Sequence, residues 1–203
     1  TGRLAEGYSG HGRLPEPDQI VARVQDFLNQ RHCLAGKRVM VTAGGTREPL
    51  DPVRYIGNRS SGKMGIAIAR AAAQAGAQVT LITGQVSVPL PQDPNIHQVS
   101  TLTTEEMLQA VQVAFKSADA LVMAAAVADY RPVKVAEQKV KKSHDHELRT
   151  LELTETVDIL RTVAATKRTD QLVVGFAAET EKLLDHAQEK LASKHADMIV
   201  ANS

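Results

Sequence analysis

The 203-residue sequence contains a single cysteine, Cys33, and no tryptophan. One cysteine cannot form an internal disulfide, so the sequence indicates a reducing compartment. Aromatic residues make up only 3% of the chain, and the core must therefore consist mainly of Val, Ile, Leu and Ala. No run approaches the ~20 consecutive apolar residues of a membrane span, and the N-terminus lacks the apolar core of a secretory signal. We therefore expect a cytoplasmic protein with no membrane partner.

The chain also lacks an excess of charge of either sign. Its 24 Lys and Arg residues are balanced by 23 Asp and Glu residues, which leaves a formal net charge of +1. This balance gives no electrostatic reason to expect a nucleic-acid partner, so any anion site must be local. Hydrophobic residues make up 43% of the chain, which is enough to build the full core of one substantial domain.

A linker and a helix precede the main domain. Residues 1–17 are rich in glycine and polar residues, as is typical of an interdomain segment. Helical spacing of apolar residues then predicts a helix that begins near Pro17; these apolar residues are Ile20, Val21, Val24, Phe27 and Leu28. The main domain begins at Gly36.

Strands and helices alternate from Gly36 onward. Apolar and β-branched runs predict strands over 38–43, 78–83, 95–100, 120–125, 171–177 and 197–201. Helices are predicted over 61–75, 104–116, 157–167 and 181–195. Helical connections of this length between strands indicate that neighbouring strands run parallel. The predicted fold class is therefore α/β: a Rossmann-like three-layer domain with a mostly parallel central sheet, whose ligands bind beyond the carboxyl ends of the strands.

Residues 57–64, GNRSSGKM, resemble a phosphate-binding P-loop but depart from its pattern. A P-loop needs Ser or Thr after the lysine to hold magnesium, and this chain has Met64 there. Ser60, Ser61 and Gly62 at a helix start could still form an anion site with Lys63. Alternatively, the serines only cap the helix and the glycines only allow close packing; the residues do not decide between these two roles.

Glycines after the first strand raise the question of a dinucleotide site. Gly44 and Gly45 would let backbone amides approach a ligand closely. However, the chain lacks G-x-G-x-x-G leading directly into a helix, and its second strand ends in Thr83-Gly84-Gln85 without an acid for a ribose. Hydride chemistry on NAD(P) is therefore disfavoured.

Other strand ends carry single polar or aromatic residues. Asp129 follows an apolar strand and could bind a cation or a base amino group, or could serve only as a turn residue. Phe176 could stack on a ligand or pack in the core. Lys190 and Lys194 share a helical face. The basic run 139–142 begins ten residues after Asp129 and could oppose a bound anion or form a solvated face. His144 and His146 are more typical of an exposed loop than of a metal site.

Four motifs, taken in order, resemble the phosphopantothenate–cysteine ligase family of coenzyme A biosynthesis. They are GGTREPLDPVRYIGNRSSGKMG, AAAVADYRP, KVKK and GFAAET, and the resemblance runs from about residue 36 to 202. It implies that the carboxylate of 4′-phosphopantothenate attacks the α-phosphate of CTP, with Mg²⁺, to give an acyl cytidylate and pyrophosphate. The amine of L-cysteine then displaces CMP.

The resemblance also assigns residues. It gives catalytic roles to Asn58, which would steady the acyl cytidylate, and to Lys139, which would also bind CTP. Asp129 matches a CTP-binding position, and we expect it to contact the magnesium. The remaining expected nucleotide contacts are Gly44, Gly45, Ser60, Ser61, Gly62, Met123, Ala124, Ala125, Val157, Asp158, Ile159, Leu160, Phe176, Lys190 and Lys194.

The resemblance further implies a domain organisation. Residues 1–35 would be a linker and the remnant of a preceding phosphopantothenoylcysteine decarboxylase domain, and residues 36–203 the ligase domain, which in the family continues for a few dozen residues. FMN is expected only in that decarboxylase, where Glu6 replaces the family's catalytic cysteine. A homodimer is expected. The alternatives are a nucleotide-binding module without turnover and an NAD(P)-binding oxidoreductase.

Overall fold

The computed structural model describes residues 2–3, 9–10, 15–30, 32–141, 150–178 and 183–202. The expectations attached to Glu6, Lys142, His144 and His146 fall outside these residues. In chain order the strands are β1 (Gly2–Arg3), β2 (Ser9–Gly10), β3 (Arg38–Ala43), β4 (Glu48–Pro49), β5 (Tyr55–Ile56), β6 (Gln78–Thr83), β7 (Ile96–Ser100), β8 (Ala120–Met123), β9 (Tyr130–Pro132), β10 (Leu153–Glu155), β11 (Leu172–Ala178) and β12 (Met198–Asn202). The helices are α1 (Pro17–Gln30), α2 (Lys63–Gln74), α3 (Thr104–Phe115), α4 (Ile159–Ala164) and α5 (Leu183–Lys194).

Six parallel strands form the central sheet in the order β12-β11-β8-β3-β6-β7. Counting only these strands along the chain, this is the order 3-2-1-4-5-6 of Rossmann folds, and the order reverses between β3 and β8. The predicted α/β fold class is therefore confirmed. Each crossover between consecutive central strands returns the chain to the same edge of the sheet, so their carboxyl ends lie together.

Two apolar clusters cover the two faces of the sheet. On β3, Val41 and Ala43 pack with α2, while Met40 faces the opposite cluster. This alternation follows from the two-residue period of a strand. The second cluster joins the sheet to α3 and α4 through fully buried Leu121 and Met107. Helices therefore cover both faces, as the predicted three-layer arrangement requires.

Several helix boundaries differ from the predicted ones. Helix α2 begins at Lys63 rather than at residue 61, because Gly62 has a left-handed backbone with φ of 76°. Helix α3 begins at Thr104 as predicted, but the N-cap is Thr103, whose hydroxyl accepts from the Glu106 amide. Helix α4 begins at Ile159, two residues later than predicted, because the Asp158 side chain caps it.

Strand β8 ends at Met123 and not at the predicted residue 125. The amide of Ala125 donates to Thr42 Oγ1 at 3.1 Å, and the amide of Ala126 donates to the Gly44 carbonyl at 2.8 Å. The first bond goes to a side chain and interrupts the ladder, and the second belongs to an isolated parallel bridge between Gly45 and Ala126. A loop therefore begins at the end of β8. Sequence periodicity also missed the short pairs β4–β5 and β9–β10, which are too brief to show a two-residue alternation.

Helix α1 confirms the predicted amphipathic segment before the main domain. Its apolar residues Ile20, Val21, Val24, Phe27 and Leu28 are between 37% and 57% exposed. Neither of the two core clusters contains them. No helix in the described part of the chain has both the length and the apolarity needed to cross a membrane.

Candidate functional site

A cavity of about 1110 Å³ lies beyond the carboxyl ends of β8 and β11. The first residues of α2 and α4 and the last two turns of α5 complete its wall. This position adjoins the reversal of strand order between β3 and β8, where ligands of parallel α/β folds bind. The fold therefore places the cavity where the strand-end rule predicts a site.

Most of the expected nucleotide contacts line this cavity. They are Asn58, Ser60, Ser61, Gly62, Met123, Ala124, Ala125, Asp129, Val157, Asp158, Ile159, Leu160, Phe176, Lys190 and Lys194. The lining also contains residues that were not predicted as contacts, among them Arg59, Glu155 and Thr156. Arg59 lies inside the glycine loop, and the other two immediately precede the 157–160 segment, so their neighbours in sequence were the available signal.

The loop 126–129 after β8 forms one wall and is held by backbone and side-chain hydrogen bonds. Asn58 Nδ2 donates to the Val127 carbonyl at 2.8 Å. Asp129, at the end of the loop, is exposed and lines the cavity. The expected acyl-cytidylate residue and the expected cation ligand therefore lie on two connected parts of the same wall.

The start of α2 shows close packing. A Cβ added to Gly62 would lie 2.5 Å from Val86 Cγ1, and one added to Gly65 would lie 2.6 Å from the Thr42 carbonyl oxygen. The hydroxyls of Ser60 and Ser61 accept from the amides of Gly62 and Lys63, at 3.3 and 3.4 Å. Both glycines therefore have a packing role, while anion binding at this helix start stays a prediction.

Two lysines of α5 reach the cavity from the side of β11. Lys190 Nζ donates to the Phe176 carbonyl at 2.8 Å, and Lys194 forms an ion pair with Asp158. Burial acts to raise the pKa of the Asp158 carboxyl, but the Arg161 amide and Lys194 outweigh it and hold this pKa below its usual value. Asp158 is therefore an anion that both caps α4 and orients Lys194.

Charged groups of both signs line the cavity. The cations are Arg59, Lys63, Lys190 and Lys194, and the carboxylates are Asp129, Glu155 and Asp158. The ion pair with Lys194 engages one of these carboxylates. Arg59 and Lys63, both exposed at the rim, remain well placed to attract an anionic group.

Lys139, Gly44 and Gly45 lie outside the cavity lining. A Cβ on Gly44 would lie 2.5 Å from the Gln85 carbonyl oxygen, and one on Gly45 would lie 2.8 Å from the Asn58 carbonyl oxygen. The backbone approach that these glycines allow is therefore between neighbouring loops. Lys139 is exposed on the segment that leaves β9.

An ion pair holds the residue next to Lys139. Asp51 is 3% exposed and accepts from Arg54 Nε at 2.9 Å and from the Val140 amide at 3.1 Å. Arg54 Nη2 also donates to the Val140 carbonyl at 2.7 Å. The Arg54 guanidinium holds the pKa of the Asp51 carboxyl far below its usual range. This contact was not predicted from the sequence.

The described residues fit magnesium only as a lightly held ion. No group of three or more His, Cys, Asp or Glu side chains within the described ranges is placed to hold a metal. Magnesium commonly keeps several waters and binds through one or two carboxylates plus substrate phosphates. The exposed carboxylate of Asp129 at the cavity therefore suits a magnesium ion that arrives with a nucleotide.

Comparison with known protein sequences shows extensive similarity. The family model described as DNA/pantothenate metabolism flavoprotein C-terminal domain matches residues 34–203. The chain is 48% identical over 202 residues to the coenzyme A biosynthesis bifunctional protein CoaBC of Vibrio cholerae, along 100% of this chain and 50% of that protein. The protein of the same name from Mycobacterium tuberculosis is 45% identical over 216 residues, along 100% of this chain and 51% of the relative. The chain thus spans about half the length of the curated relatives it matches.

Solved structures agree with this assignment. The crystal structure of the C-terminal domain of CoaBC superposes with a TM-score of 0.73 at 43% identity, covering 84% of this chain and 79% of that one. The DNA/pantothenate metabolism flavoprotein from Streptococcus pneumoniae gives a TM-score of 0.73 at 27% identity, with 82% of each chain covered. The chain therefore belongs to the family of DNA/pantothenate metabolism flavoprotein C-terminal domains.

Proposed function

We propose that this chain is the ligase domain that joins 4′-phosphopantothenate to L-cysteine in coenzyme A biosynthesis, at the expense of CTP. The carboxylate of 4′-phosphopantothenate attacks the α-phosphorus of CTP, and the bond to pyrophosphate breaks. The cysteine amine then attacks the acyl carbon, CMP leaves and the amine loses a proton. The proposal is supported by the similarity, along all of this chain, to about half of the coenzyme A biosynthesis bifunctional protein of Vibrio cholerae.

The observation that carries this proposal is the composition of the cavity at the switch in strand order. It gathers Asn58, Asp129 and four cations around a floor of small residues. Ala124 and Ala125 leave room for a flat base, while the cations oppose the charge of a triphosphate. Preorganised charge of this kind stabilises a transition state without reorganisation at the moment of reaction.

Individual residues then have distinct roles. Lys190 and Lys194 bind and orient the nucleotide from α5, and Asp158 keeps Lys194 in place until the nucleotide arrives. Asn58 holds its amide at the cavity wall through one N–H bond from Nδ2 to the Val127 carbonyl, and the second N–H of the same Nδ2 donates to the reacting groups. Magnesium, bound with the nucleotide and contacted by Asp129, would offset phosphate charge.

The proposal also covers Lys139, the oligomeric state and a linked decarboxylase domain. On the strength of the family resemblance we propose that Lys139 contacts the bound nucleotide, although it lies outside the cavity lining. A hydrogen bond from the neighbouring Val140 amide to Asp51 holds the segment that carries it. We further propose a homodimer in the cytoplasm, with the ligase linked to a decarboxylase domain that carries FMN. The word bifunctional in the relatives' name supports such a fusion.

Pyrophosphate release tests the activity. The chain is incubated with Mg·CTP and 4′-phosphopantothenate, with and without L-cysteine. We expect continuous pyrophosphate release with cysteine, and no more than about one turnover without it. CTP binding without pyrophosphate release would instead support a binding module. If calorimetry shows NAD(P) bound as tightly as CTP, the nucleotide assignment is wrong.

A further inference from the structure

We propose that Thr46 is a positioning residue for Asp129, and that it acts through a one-way hydrogen-bond chain that ends at Glu48. The inference rests on the proposed function, because it concerns how Asp129 is presented to the nucleotide. None of the three members of the chain, which are Thr46, Thr104 and Glu48, lines the cavity. Their effect on the site must therefore be transmitted through the backbone of loop 126–129.

The chain of hydrogen bonds is buried. Thr46, Thr104 and Glu48 are 1%, 2% and 3% exposed. Glu48 Oε1 accepts from Thr104 Oγ1 and from the Thr104 amide, both at 2.8 Å. The two threonine hydroxyl oxygens lie 3.2 Å apart, and Thr46 Oγ1 accepts from the Ala128 amide at 2.8 Å. Buried polar groups of this kind nearly always have hydrogen-bond partners, because an unpaired buried donor or acceptor costs free energy.

The bond to Glu48 determines the direction of the other bonds. Glu48 Oε1 accepts from Thr104 Oγ1, so the Thr104 hydroxyl uses its one proton in this bond. The Thr104 oxygen can then only accept from the Thr46 hydroxyl. Thr46 has thereby used its proton, and a lone pair of its oxygen accepts from the Ala128 amide. The arrangement permits one orientation of each hydroxyl, and a rotation of the Ala128 peptide would break the last bond.

The opposite side of the same loop is held as well. Thr156 Oγ1 donates to the Ala128 carbonyl at 2.5 Å, and the Thr156 amide donates to the Asp129 carbonyl at 2.9 Å. The peptide groups on both sides of Asp129 are therefore fixed, although its side chain is exposed at the cavity. The backbone at Asp129 is therefore held in place, while its exposed carboxylate lines the cavity.

Glu48 also stabilises the start of α3, and the experiment must distinguish this structural effect from the positioning of Asp129. Thr104 is the first residue of α3, and its amide is among those left without a partner inside the helix. A carboxylate at that end is favourable for the helix whatever happens at the cavity. Thr46, by contrast, contacts loop 126–129 directly, so variants of Thr46 test the positioning role.

The experiment compares Thr46→Val and Thr46→Ser with the control Thr101→Val. Thr101 donates a hydroxyl hydrogen bond of the same kind, to the Thr83 carbonyl at 3.1 Å, and does not line the cavity. Thr46→Val should speed hydrogen exchange of the Ala128 amide about tenfold or more and weaken Mg·CTP affinity roughly five- to tenfold, as expected for one lost hydrogen bond. Thr46→Ser keeps the hydroxyl and should restore both, and Thr101→Val should change neither.

A double-mutant cycle with Asp129→Asn decides whether the effect passes through Asp129. In the Asp129→Asn background, Thr46→Val should cause no further loss of CTP affinity. An undiminished loss there, or an affinity equal to wild type in Thr46→Val alone, overturns the proposal. Unchanged exchange at Ala128 in Thr46→Val overturns it too. If wild-type protein binds no CTP, the proposed function fails, while the exchange comparison still judges the hydrogen-bond chain.

Discussion

At the residue scale, the role of Asn58 depends on its side-chain amide, whose Nδ2 carries two N–H donors. Its Nδ2 donates to the Val127 carbonyl at 2.8 Å, and this bond orients the amide on the cavity wall. An aspartate at this position has only acceptors at neutral pH and would face the carbonyl oxygen of Val127. The change is nearly isosteric, so its effect on packing is small.

Asn58→Asp should lower kcat for product formation about 100-fold or more, the usual cost of losing one preorganised donor. CTP affinity should change much less, because the proposed role concerns a species formed after binding. Steady-state kinetics and calorimetry measure the two effects. Asn95→Asp is the matched control, since Asn95 lies at the amino end of β7, outside the cavity lining, and its side-chain oxygen accepts from Gln78 Nε2. Loss of CTP binding in Asn58→Asp would make Asn58 a binding residue instead.

Lys139→Gln should weaken CTP affinity or slow activation, whereas Lys134→Gln should do little. Both lysines are exposed on the segment that follows β9, but only Lys139 adjoins the Val140 anchor. Replacing an exposed lysine that contacts no ligand usually changes little. Calorimetry with Mg·CTP measures the difference. Equal losses in both variants would indicate a diffuse basic patch, and no loss in either would remove Lys139 from the site.

At the scale of elements, the segment between β3 and α2 supports two parts of the proposed site. It holds loop 126–129 through Thr46 and the residue next to Lys139 through Asp51. Its β4–β5 pair encloses a turn in which Asp51 Oδ1 accepts from the amides of Val53 and Arg54, each at 2.8 Å. The same carboxylate reaches Val140, 89 positions along the chain. The turn therefore fixes the start of the basic segment, although it does not line the cavity.

Asp51→Asn should destabilise the protein at neutral pH, and the difference from wild type should shrink as the solution is acidified. The folded-state pKa of Asp51 lies below the unfolded value of 3.8, so its contribution is fully present above that value. It is lost as pH falls further, through the folded-state pKa. Urea unfolding between pH 7 and pH 3 measures this trend. Asp170→Asn, which breaks an exposed pair with Arg168, should change stability little; a pH-independent effect of Asp51→Asn would contradict the assignment.

At the scale of the whole molecule, the site depends on a sheet that is covered on both faces. Leu121 is fully buried in β8, the strand whose carboxyl end begins the cavity wall. It belongs to the cluster that joins the sheet to α3 and α4. Interiors are closely packed, so a void at this position cannot be filled without moving those helices.

Leu121→Ala should therefore reduce the free energy of unfolding by about 2–5 kcal/mol. Leu102→Ala, at a position that is 44% exposed, should reduce it by well under half as much. Denaturant titrations of the two variants give the comparison. A small loss for Leu121→Ala would mean that the cluster relaxes around the missing side chain, contrary to a rigid three-layer core.

The sequence by itself determined the kinds of element and their alternation. Apolar runs and helical periodicity are local properties, and they placed the six central strands to within two residues. Parallel strands leave their carboxyl ends at one edge, so Asn58, Asp129 and Phe176 could be expected to lie near one cavity before any coordinates were known. The family followed from four motifs in order, since each motif is a contiguous stretch.

Only the tertiary structure decided how these segments support one another. The strand order, the contact of Glu48 with Thr104 and that of Thr46 with Ala128, 56 and 82 positions apart, depend on how the chain closes over long distances. Local propensity carries no information on such pairs. Lys139 shows the same limit: its motif predicted a role, but its place outside the cavity wall follows from the anchor of Val140 on Asp51. The sequence specifies the type of each side chain, whereas the packing of distant segments determines which partner that side chain contacts.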